Sequence, residues 1–335
     1  MLPTQTAGLL PVMAALAGNI FITVIKFTGF ILTGSSAMFS EAVHTAADTG
    51  NQALLMIGIK RSQRKATSNY PYGFGQERFF WALISACGIF FLGAGVTLYR
   101  GFVSLFGHAP VATHPIGYLI LGVSLVIEIF TLVYAFRALK RHTPETKFLN
   151  TLRAGDPTTL AVVYEDAVAV LGSLLAMASL ALTSFTQSVV WDAVGSILIG
   201  LLLVYVAIML IIKNREYLLE KAMPRHLEEQ VLAILNADPA IEKVIDFKSA
   251  ILDINTYRVK CEVEFNGTAL LKEAHNYGEL RAEFDNLSAD YSQFIRFFTE
   301  LSDRAPRLIG TKINQIEKRI KEDVPHVRHI DIEIN

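Results

Sequence analysis

Six stretches of this chain are each long and apolar enough to cross a lipid bilayer, and they constrain its fold more than any other feature. They lie near 8–33, 36–60, 78–105, 116–140, 158–185 and 189–213, and a helix needs roughly 20 apolar residues to cross the hydrocarbon layer. Backbone amides in lipid find no water to bond, so such stretches are driven into helices whose hydrogen bonds are internal. With 52% hydrophobic and 18% charged residues in 335, the chain is too apolar for an ordinary soluble protein. The sequence therefore predicts an α-helical membrane protein built on a six-transmembrane-helix bundle. The first stretch begins almost at Met1 and exceeds a signal-peptide core, with no Arg-rich leader or small-residue cleavage site ahead of it. It is expected to stay in the mature protein, and a bacterial inner membrane suits a chain without a targeting leader.

Orientation follows from the basic residues. Lys60, Arg61, Arg64, Lys65 and Arg78 flank the loop between the second and third stretches, and Arg137, Lys140, Arg141, Lys147 and Arg153 crowd the loop after the fourth. Lys213, Arg215 and Lys221 follow the sixth, whereas 34–35 and 186–188 carry no basic residue and 106–115 offers only His108 and His114. Basic loops stay in the cytoplasm, so both termini are expected there. The net charge of −1 gives no basic face for nucleic acid. Two cysteines, Cys87 and Cys261, lie far apart and make neither a disulfide framework nor a thiolate zinc cage.

Composition changes after residue 221, dividing the chain into a membrane domain, 1–221, and a soluble domain, 222–335. Helical periodicity over Arg225–Asn236 gives way to strand alternation near 241–249 and at 257–265, where Asn266-Gly267 closes the strand. A last helix from Thr311 precedes a terminal strand from Val327. The order is α-β-β-α-β, with a charged and aromatic-rich insertion at 268–310 that is expected to be helical.

Chemistry concentrates where an apolar stretch tolerates charge. His44 and Asp48 are four residues apart in the second stretch, which stacks an imidazole and a carboxylate one turn apart on one helix face. Glu165 and Asp166 lie in the fifth. Ionisable groups at bilayer depth mark ion or proton pathways, so these two distant pairs are candidates for one metal site. Glu41, Asn51, Gln52 and Asn19 also lie within apolar stretches, where hydrogen bonding between helices is the commoner role. Lys26 and Glu128 are expected to compensate other charges or approach the interface, and Asp192 to cap a helix end.

The segment Ser40-EAVHTAADTGNQ, the motif Tyr70-PYGFGQER, Asp166 followed six residues later by Gly172, and the small C-terminal domain together resemble the cation diffusion facilitator family. The Glu165-Asp166 pair and the closing Val-Arg-His-Ile-Asp-Ile-Glu resemble the branch containing animal zinc transporter nine. This resemblance implies a homodimer that exchanges a divalent metal for protons and carries a ferredoxin-like cytoplasmic domain. It also implies a central site built from a His or Asp and an Asp four apart on the second helix, with a similar pair on the fifth. His44 and Asp48 match the first pair, but the fifth helix matches only at Asp166, because Val162 stands four residues earlier. Glu165 lies about 100° around the helix from Asp166. Either the helix faces the site along their shared edge, or Glu165 serves a separate role.

One imidazole with two or three carboxylates suits zinc, while a site this rich in oxygen also admits manganese, iron(II) or cobalt. The ion is cargo, and no cofactor is expected. Several buried carboxylates cannot all be ionised without a metal, so the empty site holds protons and metal binding expels them. Some members of the family it resembles place His and Asp in the motif at 70–78 as a peripheral metal site, but Tyr70, Tyr72, Phe74 and Gln76 offer no such ligands, so that site is expected to be absent. His329, Asp331 and Glu333 share a strand face, yet Lys248 opposes a metal there, so the C-terminal domain is expected mainly to dimerise. Two other classes remain: an intramembrane aspartyl protease using Asp48 and Asp166, and a passive channel. The protease lacks a Gly-x-Gly-Asp motif, and the channel would move metal without opposing proton flux.

Overall fold

The computed structural model describes residues 9–107, 115–142, 157–274, 284 and 290–335. They form two units, one made of the residues up to Arg64 together with Glu77–Leu218, the other of Lys65–Gln76 with Leu219–Asn335. His108, His114, Lys147 and Arg153, which entered the orientation argument, lie outside the described residues.

The first unit is helical: α1 Leu9–Thr33, α2 Ser36–Ser62, α3 Glu77–Gly88, a π-helical stretch Ile89–Ala94, α4 Gly95–Phe106, α5 Pro115–His142, α6 Pro157–Thr186 and α7 Val190–Leu218. Among the described residues, five continuous helical segments are long and apolar enough to cross a membrane, with the run 77–106 counted as one. α2 matches them in length at 27 residues but not in composition, because Glu41, His44, Asp48 and Asn51 interrupt it. That helix lies against α1, α3, α6 and α7. Its polar residues therefore face protein, and Ser40, Glu41, His44, Thr45 and Asn51 are all buried. Lipid-suited surface sits elsewhere, as on α5, where Leu119, Val126, Phe130 and Tyr134 are exposed.

Local chemistry fixes where α2 begins. Ser35 caps it by accepting from the Met38 amide at 3.1 Å. Asp192, on the first turn of α7, accepts from Ser35 Oγ at 2.6 Å and from the amides of Ser36 at 2.5 Å and Ala37 at 3.3 Å. A carboxylate at a helix N-terminus meets both unpaired amides and the positive end of the helix dipole. Asp192 thus caps a helix end, but that of α2 and not its own. Gly195, one turn along α7, lets α6 approach closely, since a Cβ there would strike Ser179 and touch Ala37 at 3.7 Å.

The second unit holds α8 Arg225–Ala237, β1 Ile241–Asp253, β2 Thr256–Phe265, α9 Gly267–Ala274, α10 Tyr291–Asp323 and β3 Val327–Ile334. The strands form a sheet in the order β1-β2-β3, β1 antiparallel and β3 parallel to β2. Alternate residues of β2, Tyr257, Val259, Cys261 and Val263, point into the core, where α8 adds Val231 and Leu235 and α10 adds Ile316 and Ile320. The expected element order holds, with one difference: the last helix begins at Tyr291 rather than Thr311 and passes through Pro306. Asp290 caps it by accepting from the Ser292 amide at 2.9 Å, and the Asp303–Arg307 pair at 2.7 Å supports the exposed early turns. Part of the expected insertion, 275–283 and 285–289, lies outside the described residues.

Candidate metal centre

α2 and α6 carry the four residues expected to bind metal. On α2, His44 Nε2 faces Asp48 Oδ2 at 3.5 Å, with the imidazole only 3% exposed. Neither ring nitrogen of His44 has a hydrogen-bond partner among the described residues, although both are buried. A neutral buried imidazole normally satisfies at least its N–H, so an orphaned ring beside a carboxylate is poised for a ligand. Asp48 lies within electrostatic reach of both Glu165 and Asp166 on α6. The packing of α2 on α6 thus sets Asp48 in the electrostatic field of the Glu165–Asp166 pair, without closing the four side chains into one cage.

The two α6 carboxylates differ in their surroundings. Glu165 Oε1 accepts from Asn51 Nδ2 at 2.5 Å, and Asn51 Oδ1 in turn accepts from Ser85 Oγ at 2.5 Å. This chain ties Glu165 to α2 and α3. Asp166 makes no such side-chain hydrogen bond among the described residues, and its charge interacts with Asp48 and, more weakly, with Glu128. Among the described residues no three His, Cys, Asp or Glu side chains stand close enough to cage a metal as they are. Ligation by more than His44 and Asp48 therefore requires the carboxylates to draw together, as like charges do when a cation neutralises them.

Sequence reasoning left Lys26, Glu41 and Glu128 unassigned to any common purpose, and the structure joins them. Lys26 Nζ lies 2.8 Å from Glu41 Oε2 and 2.7 Å from Glu128 Oε1, and all three side chains are buried. Ser173 Oγ donates to Glu41 Oε2 at 2.9 Å. Gly172 makes room for this cluster, because a Cβ at that position would collide with Glu41 Oε1. The sequence signal was three charges in apolar stretches, but nothing in their spacing pairs residue 26 with residue 128.

The C-terminal residues with ligand-like side chains have other neighbours. Glu333 pairs with Lys260 at 2.6 Å, and Lys248 pairs with Asp246. A cavity of about 520 Å³ is lined by Asp331 and His329 but also by Lys248, Arg258, Lys260, Lys321 and Arg328. Burial, and then Lys321, Arg258 and Arg328, hold the His329 imidazole below its ordinary pKa. Burial, with Asp331 and Glu317 nearby, pushes the Cys261 thiol up to about 12. In the same unit the ring of Tyr72, from the motif at 70–78, meets that of His329 edge-on at 5.2 Å, and the Arg258 guanidinium stacks over it at 4.9 Å.

Comparison with known proteins adds a second line. Residues 12–219 match the model of the cation efflux transmembrane domain. The chain is 33% identical, over 96% of its length, to the mouse protein named proton-coupled zinc antiporter SLC30A9, mitochondrial, of which it spans 58%. It is also 33% identical over 96% of its length to metal tolerance protein C4 of Arabidopsis thaliana, covering 72% of that protein. A more distant relative, putative transporter MamV of Paramagnetospirillum magneticum, is 23% identical over 80% of the chain and 75% of its own length.

Proposed function

The chain belongs to the cation efflux family, whose members are transporters and not enzymes, and from that premise we propose that it exchanges zinc for protons across a membrane by alternating access. The observation that carries this reading is the buried, unpartnered His44 imidazole 3.5 Å from Asp48, with the carboxylates of α6 within electrostatic reach. His44, Asp48 and Asp166 are the proposed ligands, and Glu165 either completes the set or, tied to Asn51, positions α6 against α2. One nitrogen and two or three carboxylate oxygens suit zinc, and manganese, iron(II) and cobalt are the competing cargoes.

Proton exchange follows from the ligands. With the site empty, Asp48, Glu165 and Asp166 repel one another in a medium that solvates charge poorly, so they cannot all stay ionised. Metal binding demands their deprotonated forms, and protonation from the opposite side weakens the metal's hold. A site exposed to one side at a time then trades the two ions. The names of the SLC30A9 relatives speak of a proton-coupled zinc antiporter, which supports this reading.

We further propose that α2 is the sixth crossing helix, since its polar residues are buried against four neighbours and its 27 residues fall within the 25 to 30 of the other crossing segments. The basic residues after α2 and α7 support a topology with both termini on the cytoplasmic side. Residues 222–335 form a ferredoxin-like cytoplasmic domain after the membrane domain, 1–221, and the transporter works as a homodimer.

The test is metal uptake into proteoliposomes across zinc, manganese, iron(II), cobalt and cadmium, with a pH dye inside. Zinc is expected to give the largest flux, with an opposing pH change, and Asp48→Ala or Asp166→Ala to abolish both. Metal flux without a pH change would favour a passive channel, and undiminished flux in both variants would refute the site.

A further inference from the structure

The ion cluster on α1, α2 and α5 carries more negative than positive charge. One ammonium, Lys26, stands between two carboxylates, Glu41 and Glu128, and its Nζ is nearly equidistant from them at 2.8 and 2.7 Å. Lys26 and Glu41 have no exposure and Glu128 only 7%. If both glutamates were ionised, one negative charge would be left uncompensated in a buried, membrane-spanning bundle. An isolated charge there is strongly disfavoured, and buried acids respond by taking up a proton.

The hydrogen bonds point to where that proton sits. Lys26 engages one oxygen of each glutamate, and Ser173 also donates to Glu41 Oε2. The other two oxygens, Glu41 Oε1 and Glu128 Oε2, are buried with no partner among the described residues. Both therefore lack a donor, but Glu41 Oε2 accepts from both Lys26 and Ser173 whereas Glu128 Oε1 accepts from Lys26, so Glu128 is the less stabilised carboxylate and the one that takes the proton. We propose that the Lys26–Glu41–Glu128 cluster is a proton-binding site distinct from the metal ligands, holding one exchangeable proton on Glu128 while the metal site is empty. This inference rests on the metal-transport reading above, whose coupling it deepens.

The cluster is placed to sense the metal. Lys26 and Glu41 act electrostatically on Asp48, and Glu128 acts on Asp166. The groups facing Glu128 are Lys26 from α1, Glu41 from α2, and Ser173 and Asp166 from α6. When a dication enters between His44, Asp48 and Asp166, its field disfavours the nearby proton. The Glu128 O–H bond then breaks, its electron pair stays on the oxygen, and the proton leaves to water. Departure of the metal restores the surplus negative charge and draws a proton back. Because the coupling is reciprocal, protonation of Glu128 also weakens metal binding.

Calorimetric titration of the full chain in detergent with zinc, repeated in buffers of different ionisation enthalpy, counts protons released per metal bound. Glu128→Gln is expected to bind zinc at the wild-type stoichiometry but to release about one proton fewer, and Glu128→Asp to restore the count. Glu41→Gln removes the same surplus charge and is expected to show the same deficit, so either folded variant decides the matter. An undiminished proton count in Glu128→Gln or Glu41→Gln overturns the proposal. Asp48→Ala separates the two ideas: if that variant binds zinc normally, the metal-site reading has failed on its own account.

Discussion

Replacing Lys26 by Met tests the charge accounting at its centre. Met nearly preserves the volume of the buried aliphatic stem, so packing changes little, and what disappears is the ammonium that two carboxylates share at 2.8 and 2.7 Å. Removing one partner of a buried ion pair costs about 3–5 kcal/mol, because the remaining charge is neither solvated nor paired. Here Glu41 is left ionised beside Glu128, which holds the proton proposed above, so the cost of Lys26→Met is expected to fall within that range. Glu128→Gln behaves differently. It leaves Lys26 opposite Glu41 alone, a neutral pair still bonded to Ser173, so its cost is expected to stay below about 1.5 kcal/mol, the size of a single hydrogen bond. Equilibrium unfolding in mixed micelles with increasing SDS reads both variants. A Lys26→Met variant within about 1 kcal/mol of wild type, or a Glu128→Gln variant as damaged as Lys26→Met, would refute the reasoning. Adding Glu41→Gln and Glu128→Gln to Lys26→Met is expected to recover most of the loss, since a neutral buried cluster carries no unpaired charge.

Asp192→Ala removes three hydrogen bonds from the start of α2; unfolding in the same assay is expected to show a loss of about 1–3 kcal/mol. His44→Asp converts the proposed site to oxygen ligands alone, and competition uptake is expected to shift from zinc toward manganese. Glu165→Gln keeps an oxygen to accept from Asn51, so its zinc affinity by titration is expected to fall less than that of Asp166→Asn. Cys261 offers a pH test in the second unit. Its folded pKa, about 12, lies above the roughly 8.5 of an exposed thiol, so the unfolded state loses its proton first as pH rises. The stability it contributes is intact below about pH 8.5 and declines by about 1.4 kcal/mol per pH unit from there toward 12. Alkylation of Cys261 in a Cys87→Ser background is accordingly expected to stay slow at pH 8–9 and to accelerate as that unit opens.

How far the sequence spoke depended on the range of the interaction. His44 and Asp48 were legible as a pair because four residues on a helix are one turn, and α2 sets them 3.5 Å apart. The helices themselves were legible because lipid permits an apolar stretch hardly any other backbone. Asp192 was legible as a cap by its place at a helix start, but which helix it caps depends on α7 meeting the first turn of α2, 157 positions away in sequence. The same holds for Lys26 and Glu128, separated by 102 positions. Charge in an apolar stretch says that a partner exists without saying where.

Glu165 shows the limit from the other side. Its position 100° from Asp166 left two roles open, and the structure adds a tether: Ser85 to Asn51 to Glu165, each link 2.5 Å. Asn51 lies one helical turn beyond Asp48, so this chain draws α6 toward the part of α2 that carries the imidazole and carboxylate. The Lys26 cluster does the same one turn before, through Glu41 and Ser173. A polar link on either side of His44 and Asp48 therefore fixes the register between α2 and α6, and any movement that exposes the pair to one side of the membrane has to carry both links with it or break one. Variants that sever a link without touching a ligand, such as Asn51→Ala, are accordingly expected to slow proteoliposome transport more than they weaken zinc binding in titration. Equal losses in the two measurements would mean that Asn51 serves the site itself.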